Sequence, residues 1–147
     1  MELPEYVSKE EVQRVCRALG IRDWTELEGS EITREEAGCI QDLVGAEAAE
    51  IPLEAFLQGL EVELEHGLMF PDANVTNNHP ILTGKIVLAH LKETLDYYQR
   101  LEVAELEGDL IKAAGRGDSE ALKRKFQQLV AARANLRSQE EARLAEI

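Results

Sequence analysis

The chain has 147 residues, of which 44% are hydrophobic but only 5% aromatic, and its 29 acidic and 16 basic side chains give a formal charge of −13 at pH 7. That length suits one ordinary domain, and a chain rich in Ala, Leu, Glu, Lys and Arg but poor in aromatics has the composition of packed amphipathic helices. So negative a chain repels phosphate backbones and anionic lipid, which argues against nucleic acid and membrane as partners.

The first predicted helix is opened by the capping box Ser8-Lys-Glu-Glu11, carries Val12, Val15, Cys16 and Leu19 at helical spacing, and is stopped by Gly20. Trp24 and Leu27 then pin a turn to the core. A second capping box, Thr33-Arg-Glu-Glu36, opens a helix with Ala37, Ile40, Leu43 and Val44 that ends at Gly45. Pro52 suits the first position of a third helix, which runs through Phe56, Leu57, Leu60 and Leu64 to Gly67. Between Met69 and His79 the run of Pro, Asp, Asn and Thr predicts a loop, with Pro80 starting the fourth helix. That helix is dense in apolar residues from Ile81 to Leu95, and a cap or kink at Asp96 separates it from a continuation through Tyr97, Tyr98, Leu101, Leu106, Leu110 and Ile111. Gly115-Arg-Gly117-Asp118 breaks the helix. Asp118 or Ser119 caps a last one with Leu122, Phe126, Leu129, Val130, Arg133 and Leu136 on one side.

These elements predict an all-α fold, a compact helical bundle of about five to six helices closed by a C-terminal helical hairpin. The expected organisation is a single helical domain over residues 1–147, made of an N-terminal helical hairpin (1–50), a core (51–101) and the C-terminal hairpin (102–147). No run approaches the roughly 18 apolar residues of a membrane span. The start MELPEYVSKEE also lacks the basic and then apolar regions of a signal peptide, so the expected location is cytoplasmic. Cys16 and Cys39 match neither a CxxC motif nor a disulfide framework and are expected to be reduced core residues.

All three histidines lie between residues 66 and 90. Glu63 and His66 are three apart, as are His90 and Glu93, so one helix offers ExxH and the next offers HxxE. Helical bundles that hold metals project such pairs from neighbouring helices, and imidazole with carboxylate suits zinc, iron or manganese better than calcium. On a continuous helix His90, Glu93 and Tyr97 fall within a sector about 60° wide and are expected to point inward, with Lys85, Lys92, Asp96 and Gln99 on the watered side. The bland alternative is that buried His, Glu and Tyr satisfy one another by hydrogen bonds and fix helix register. Glu61 and Glu65 read as solvated, and His79 as a loop or capping residue. No Gly-rich phosphate loop, GxSxG or HExxH occurs, so there is no nucleotide or flavin signature, and whether the chain catalyses anything is left open.

The stretch from Phe56 to Leu101, with GLEVELEHG, NVTNNHPILTGKIVLAHLKE and DYYQRL, resembles a family of small bacterial and phage proteins classed as a domain of unknown function. The motifs ELEHG, NVTN, GKI, AHLKE and DYY carry the resemblance. Asp often stands where this chain has Asn78 or His79, and Pro where it has Leu95. The resemblance implies a shared functional core at His66, His90, Glu93, Tyr97 and Tyr98 without naming an activity.

The leading expectation is therefore a divalent metal site of Glu63, His66, His90 and Glu93, with Tyr97 beside it. Its competitor is a non-catalytic structural or adaptor protein acting through protein–protein contacts. The C-terminal hairpin has few large side chains and is expected to be thin, so it should seek a second copy or another protein.

Overall fold

In a computed structural model of the chain, which describes residues 7–145, six α-helices form and no strand is present among the described residues. The all-α expectation holds. They are α1 (Lys9–Leu19), α2 (Arg34–Val44), α3 (Leu53–Met69), α4 (Pro80–Glu93), α5 (Tyr97–Gly115) and α6 (Ser119–Leu144), with a short 3₁₀ turn at Ala46–Glu50. By its contacts the chain divides into two compact units, Met1–Leu95 and Asp96–Ile147. No helix among the described residues is long and apolar enough to cross a membrane.

In the first unit the helix ends follow local chemistry. Ser8 accepts a hydrogen bond from the Glu11 amide, and Gly20, at φ 67°, ends α1 with its own amide bonded to Arg17 and that of Ile21 to Cys16. This is the left-handed turn that glycine adopts without a Cβ penalty. Thr33 and Glu36 form the reciprocal capping box of α2. His79 caps α4, its Nδ1 accepting from the Leu82 amide at 3.4 Å, as a capping reading of that residue requires. Pro52 sits one position before the first residue of α3 rather than on it, and α3 runs past Gly67 to Met69.

Helix α4 packs on α3 and on α2, and α1 rests on α4. At Gly84 α4 comes close against α2: a Cβ there would lie 2.6 Å from Ile40 Cγ2 and 2.8 Å from Val44 Cγ1. Around it the buried side chains include Ile40, Phe56, Leu60, Leu64 and Val87, and Trp24 is fully enclosed in the same unit. Cys16 is buried, which pushes its thiol pKa up, whereas Cys39 is only half-buried and not the core residue expected. Both cysteines are free thiols.

In the second unit α5 and α6 pair as the expected hairpin, turning through Arg116 and Gly117, with Asp118 accepting from the Ala121 amide at 2.9 Å. The seam between them holds Leu106, Leu129 and Ala132, flanked by Val103 and Leu110. Charges close it on either side, through Arg133–Glu107 at 2.6 Å and Lys125–Asp109 at 2.8 Å.

Asp96 and Gln99, expected in water, are buried. The reason is a break in helical phase. Thr94 is extended at φ −161° and ψ 139°, so α4 ends at Glu93 and α5 begins at Tyr97 with its own rotation. The Asp96 carboxylate, 1% exposed, binds Arg100 at 2.9 Å and Arg143 at 3.3 Å instead of capping α5.

Candidate functional site

The residues with metal-ligand chemistry lie on α3 and α4. The core face of α4 is Pro80, Thr83, Gly84, Val87 and Leu91. At 100° per residue His90 stands about 80° away from the centre of that face and Glu93 about 140° away. So His90 is half-buried at the flank while Glu93, the last residue of the helix, is exposed, contrary to the inward placement expected from the sequence. Ile86, on the same flank, is exposed as well.

Helix α3 brings Glu63 up to His90. Glu63 Oε1 lies 3.6 Å from His90 Nε2, with the two side chains 17% and 31% exposed. One turn further along α3, His66 joins Glu63 in the wall of a cavity of about 310 Å³, together with Phe70, Asn74, Val75, Thr76 and Ile86. The structure thus joins Glu63 to His90 and sets His66 in the same wall as Glu63. Tyr97 opens α5 in the other unit, its ring edge-on to Tyr98 at 5.2 Å. Among the described residues no three His, Cys, Asp or Glu side chains stand close enough together to hold a metal ion.

One wall of this cavity is the loop between α3 and α4, which the sequence predicts as irregular and rich in residues that hydrogen-bond nearby backbone. Asn74 Nδ2 donates to the Gly67 carbonyl at 3.1 Å and to Asn78 Oδ1 at 2.7 Å, and Asn74 Oδ1 accepts from the Thr76 hydroxyl. Asn77 and Asn78 take positive φ of 48° and 59°, which asparagine tolerates better than other side chains. A Cβ on Gly67 would meet Asn78 Oδ1 at 2.1 Å, so glycine is what lets the loop lie against α3. The signal was present in ELEHG and NVTNN: a glycine inside a helix, and paired asparagines before a helix start.

Glu61 was expected to be solvated, yet its Oε1 accepts from the Ile32 amide at 3.2 Å and ties α3 to the chain before α2; Glu65 is exposed as expected. A buried carboxylate at Glu36 is likewise more than a cap. Its side chain, 5% exposed, takes Arg22 Nη2 at 2.6 Å, Arg22 Nε at 3.0 Å and the Arg22 amide at 3.1 Å.

The second candidate surface is at the turn end of the α5–α6 hairpin. Leu110, Ile111, Ala114, Ser119, Leu122 and Phe126 line an almost wholly apolar groove of about 540 Å³, with Ile111 76%, Phe126 57% and Leu122 37% exposed. Val130 continues the stripe along α6 until Arg133 and Glu107 end it. On α6, Leu122, Phe126 and Val130 each stand one position, about 100°, from the inward side marked by Ala121, Lys125 and Leu129, which is why they miss the seam.

Comparison with known proteins adds one match. Residues 12–107 match the family described as Protein of unknown function (DUF5661). The chain belongs to the DUF5661 family. Set against curated proteins and against solved structures, it has no match. The DUF5661 match takes in the Glu63–His90 contact and the loop on Gly67, and it stops within α5, before the hairpin turn and α6.

Proposed function

We propose that this protein is a non-catalytic helical adaptor that acts through protein–protein contacts, with the α5–α6 hairpin as its docking element. One observation carries the reading: the apolar groove at the hairpin's turn, where Ile111 and Phe126 lie more than half exposed. Within the hairpin itself neither helix covers this stripe, and contiguous exposed apolar surface of this kind marks interaction sites. A photo-crosslinking residue at position 122 tests it. One identifiable protein, or a second copy of the chain, should be captured in cells, and Phe126→Glu should abolish the adduct. Equal labelling from position 102, on exposed polar surface, would overturn the reading.

The contact between Glu63 and His90 favours a second reading, in which a divalent zinc, iron or manganese ion is bound there. Glu63 and His90 would supply two ligands, and since no third stands close enough as the side chains now lie, His66 from the cavity wall and Glu93 from the end of α4 would have to join by side-chain rotation. Binding to the folded state adds stability, about 2.7 kcal/mol at a hundredfold excess over Kd. Elemental analysis of chelator-free protein and thermal melts with added zinc test it. His90→Ala should remove the metal and the rise in Tm, while His79→Ala should not. Metal-free protein with a Tm indifferent to zinc, iron and manganese would sink this reading and leave the first untouched.

A further inference from the structure

The occupant of the hairpin groove can be argued from how charge is divided along the chain. Residues 1–95 carry 19 acidic and 7 basic side chains, a net of −12, while residues 96–147 carry 10 and 9, a net of −1. Within the second unit the basic residues gather at the groove. Between positions 112 and 125 there are five, Lys112, Arg116, Lys123, Arg124 and Lys125, against Asp118 and Glu120. Asp109 holds Lys112 and Lys125, and the other three stand around the turn and the start of α6, on the same elements as Leu122 and Phe126. An apolar groove with a basic rim calls for an apolar partner with an acidic rim.

The first unit has such a face. From residue 35 to residue 84 there is no Lys or Arg at all; Glu36, Glu47 and Glu54 of that stretch are paired with cations from outside it, whereas Glu63 lines the cavity and Glu65 and Asp72 adjoin its lining residues in sequence. Within that stretch Phe70 and Val75, which line the cavity with Glu63, are 51% and 82% exposed, and Met69, next to Phe70 in sequence, is 56% exposed, with Glu65 and Asp72 exposed near them in sequence. We infer that the partner of the hairpin is a second copy of this chain, its groove seated on the acidic apolar face around Phe70 and Val75 of the other copy. Two such contacts related by a two-fold axis give a closed dimer in which each copy offers a hairpin and receives one. Pairing of hairpin with hairpin would bring two basic rims within a Debye length of each other, about 8 Å at physiological salt, and is disfavoured. This inference rests on the docking reading above and names its partner.

Sedimentation of the full chain and of exposed-site variants tests it. The wild type should be dimeric at micromolar concentration and physiological salt and should dissociate toward monomer in molar salt. Phe126→Glu and Phe70→Glu should each raise the dimer Kd by about tenfold or more. An equimolar mixture of the two should recover association, because the intact groove of one variant fits the intact face of the other. Val75→Glu is the second variant for that face, and far-UV circular dichroism checks that all remain folded. A wild type that is monomeric throughout would overturn the second-copy partner; crosslinking of a different protein at position 122 would still support the docking reading. A dimer unaffected by both Phe70→Glu and Val75→Glu, or a mixture that fails to associate, would overturn the groove-to-face geometry.

Discussion

Helices α2, α3 and α4 meet so closely that a single methyl group on Gly84 has nowhere to go, whereas α5 and α6 meet along a seam of Leu106, Leu129 and Ala132 with ion pairs on its flanks. The first arrangement draws its stability from shape. Interdigitated branched side chains lose many contacts at once when displaced, and they cannot relax by rotation because their χ1 angles are stiff. The second draws on a short apolar seam of two leucines and an alanine and on charges that water also solvates, each such exposed pair contributing about 0–1 kcal/mol. A helix pair held in this way has an outer face that nothing in its own layer covers, and that is where Ile111, Leu122 and Phe126 lie. The difference teaches that two units of one chain can be held by different means, one by shape and one by a narrow apolar seam between charges.

The largest test of this contrast is Gly84→Ala. The added Cβ falls 2.6 Å from Ile40 and 2.8 Å from Val44, both β-branched and both on α2. Overpacking of this kind costs about 3 kcal/mol, the upper part of its usual range. Chemical denaturation should show a lower midpoint with an unchanged m-value. An unchanged midpoint would mean that α2 and α4 are looser than described.

A smaller effect is expected from Glu36→Gln, and it carries a pH signature. Burial raises the pKa of the Glu36 carboxyl, but hydrogen bonds from the Arg22 guanidinium and from the Thr33 and Arg22 amides more than offset this, so it sits below its ordinary value of 4.5. A carboxyl lowered on folding contributes stability that is present above its unfolded pKa and lost as pH falls through the folded one. The wild type should therefore weaken below about pH 4.5 more steeply than Glu36→Gln, whose stability curve should be flatter there. At pH 7 the substitution should cost about 1–2 kcal/mol, because Arg22 is half exposed and water takes up part of its loss. Parallel pH profiles would refute the account of Glu36 as a buried partner.

How much of this was legible in the sequence follows the range of each interaction. Ser8, Gly20, the Thr33–Glu36 box, the Gly117 turn and the Asp118 cap act within four residues of themselves, and each stands where its local chemistry put it. Arg22 and Glu36 are fourteen residues apart, and nothing local announces that a capping glutamate is also a buried acceptor. The candidate metal site shows the same limit more sharply. The spacing of His90, Glu93 and Tyr97 is helical, but Thr94 interrupts the helix, so a face drawn across residues 90–97 does not exist as one face. Glu63 and His90 meet because α3 and α4 pack, and the sequence could offer only that each pair shares a side of its own helix.

The smallest predicted effect has the opposite sign to Gly84→Ala, although the substitution is the same. Gly108 lies inside α5, and a Cβ built there meets nothing within 4 Å. Alanine in a helix interior is favoured over glycine by about 0.5–1 kcal/mol, because glycine has more backbone freedom to lose on folding. Gly108→Ala should therefore stabilise the hairpin. Since two units need not unfold together, the measurement is hydrogen exchange at the amides of α5 and α6, which should slow by up to about fivefold in Gly108→Ala while those of α2 and α4 stay as they are. Slower exchange confined to the hairpin would show that its two helices are held mainly by their own seam and termini. Faster exchange there would mean that another surface packs against Gly108, and α5 would then have a third side in contact that the open space around its backbone denies.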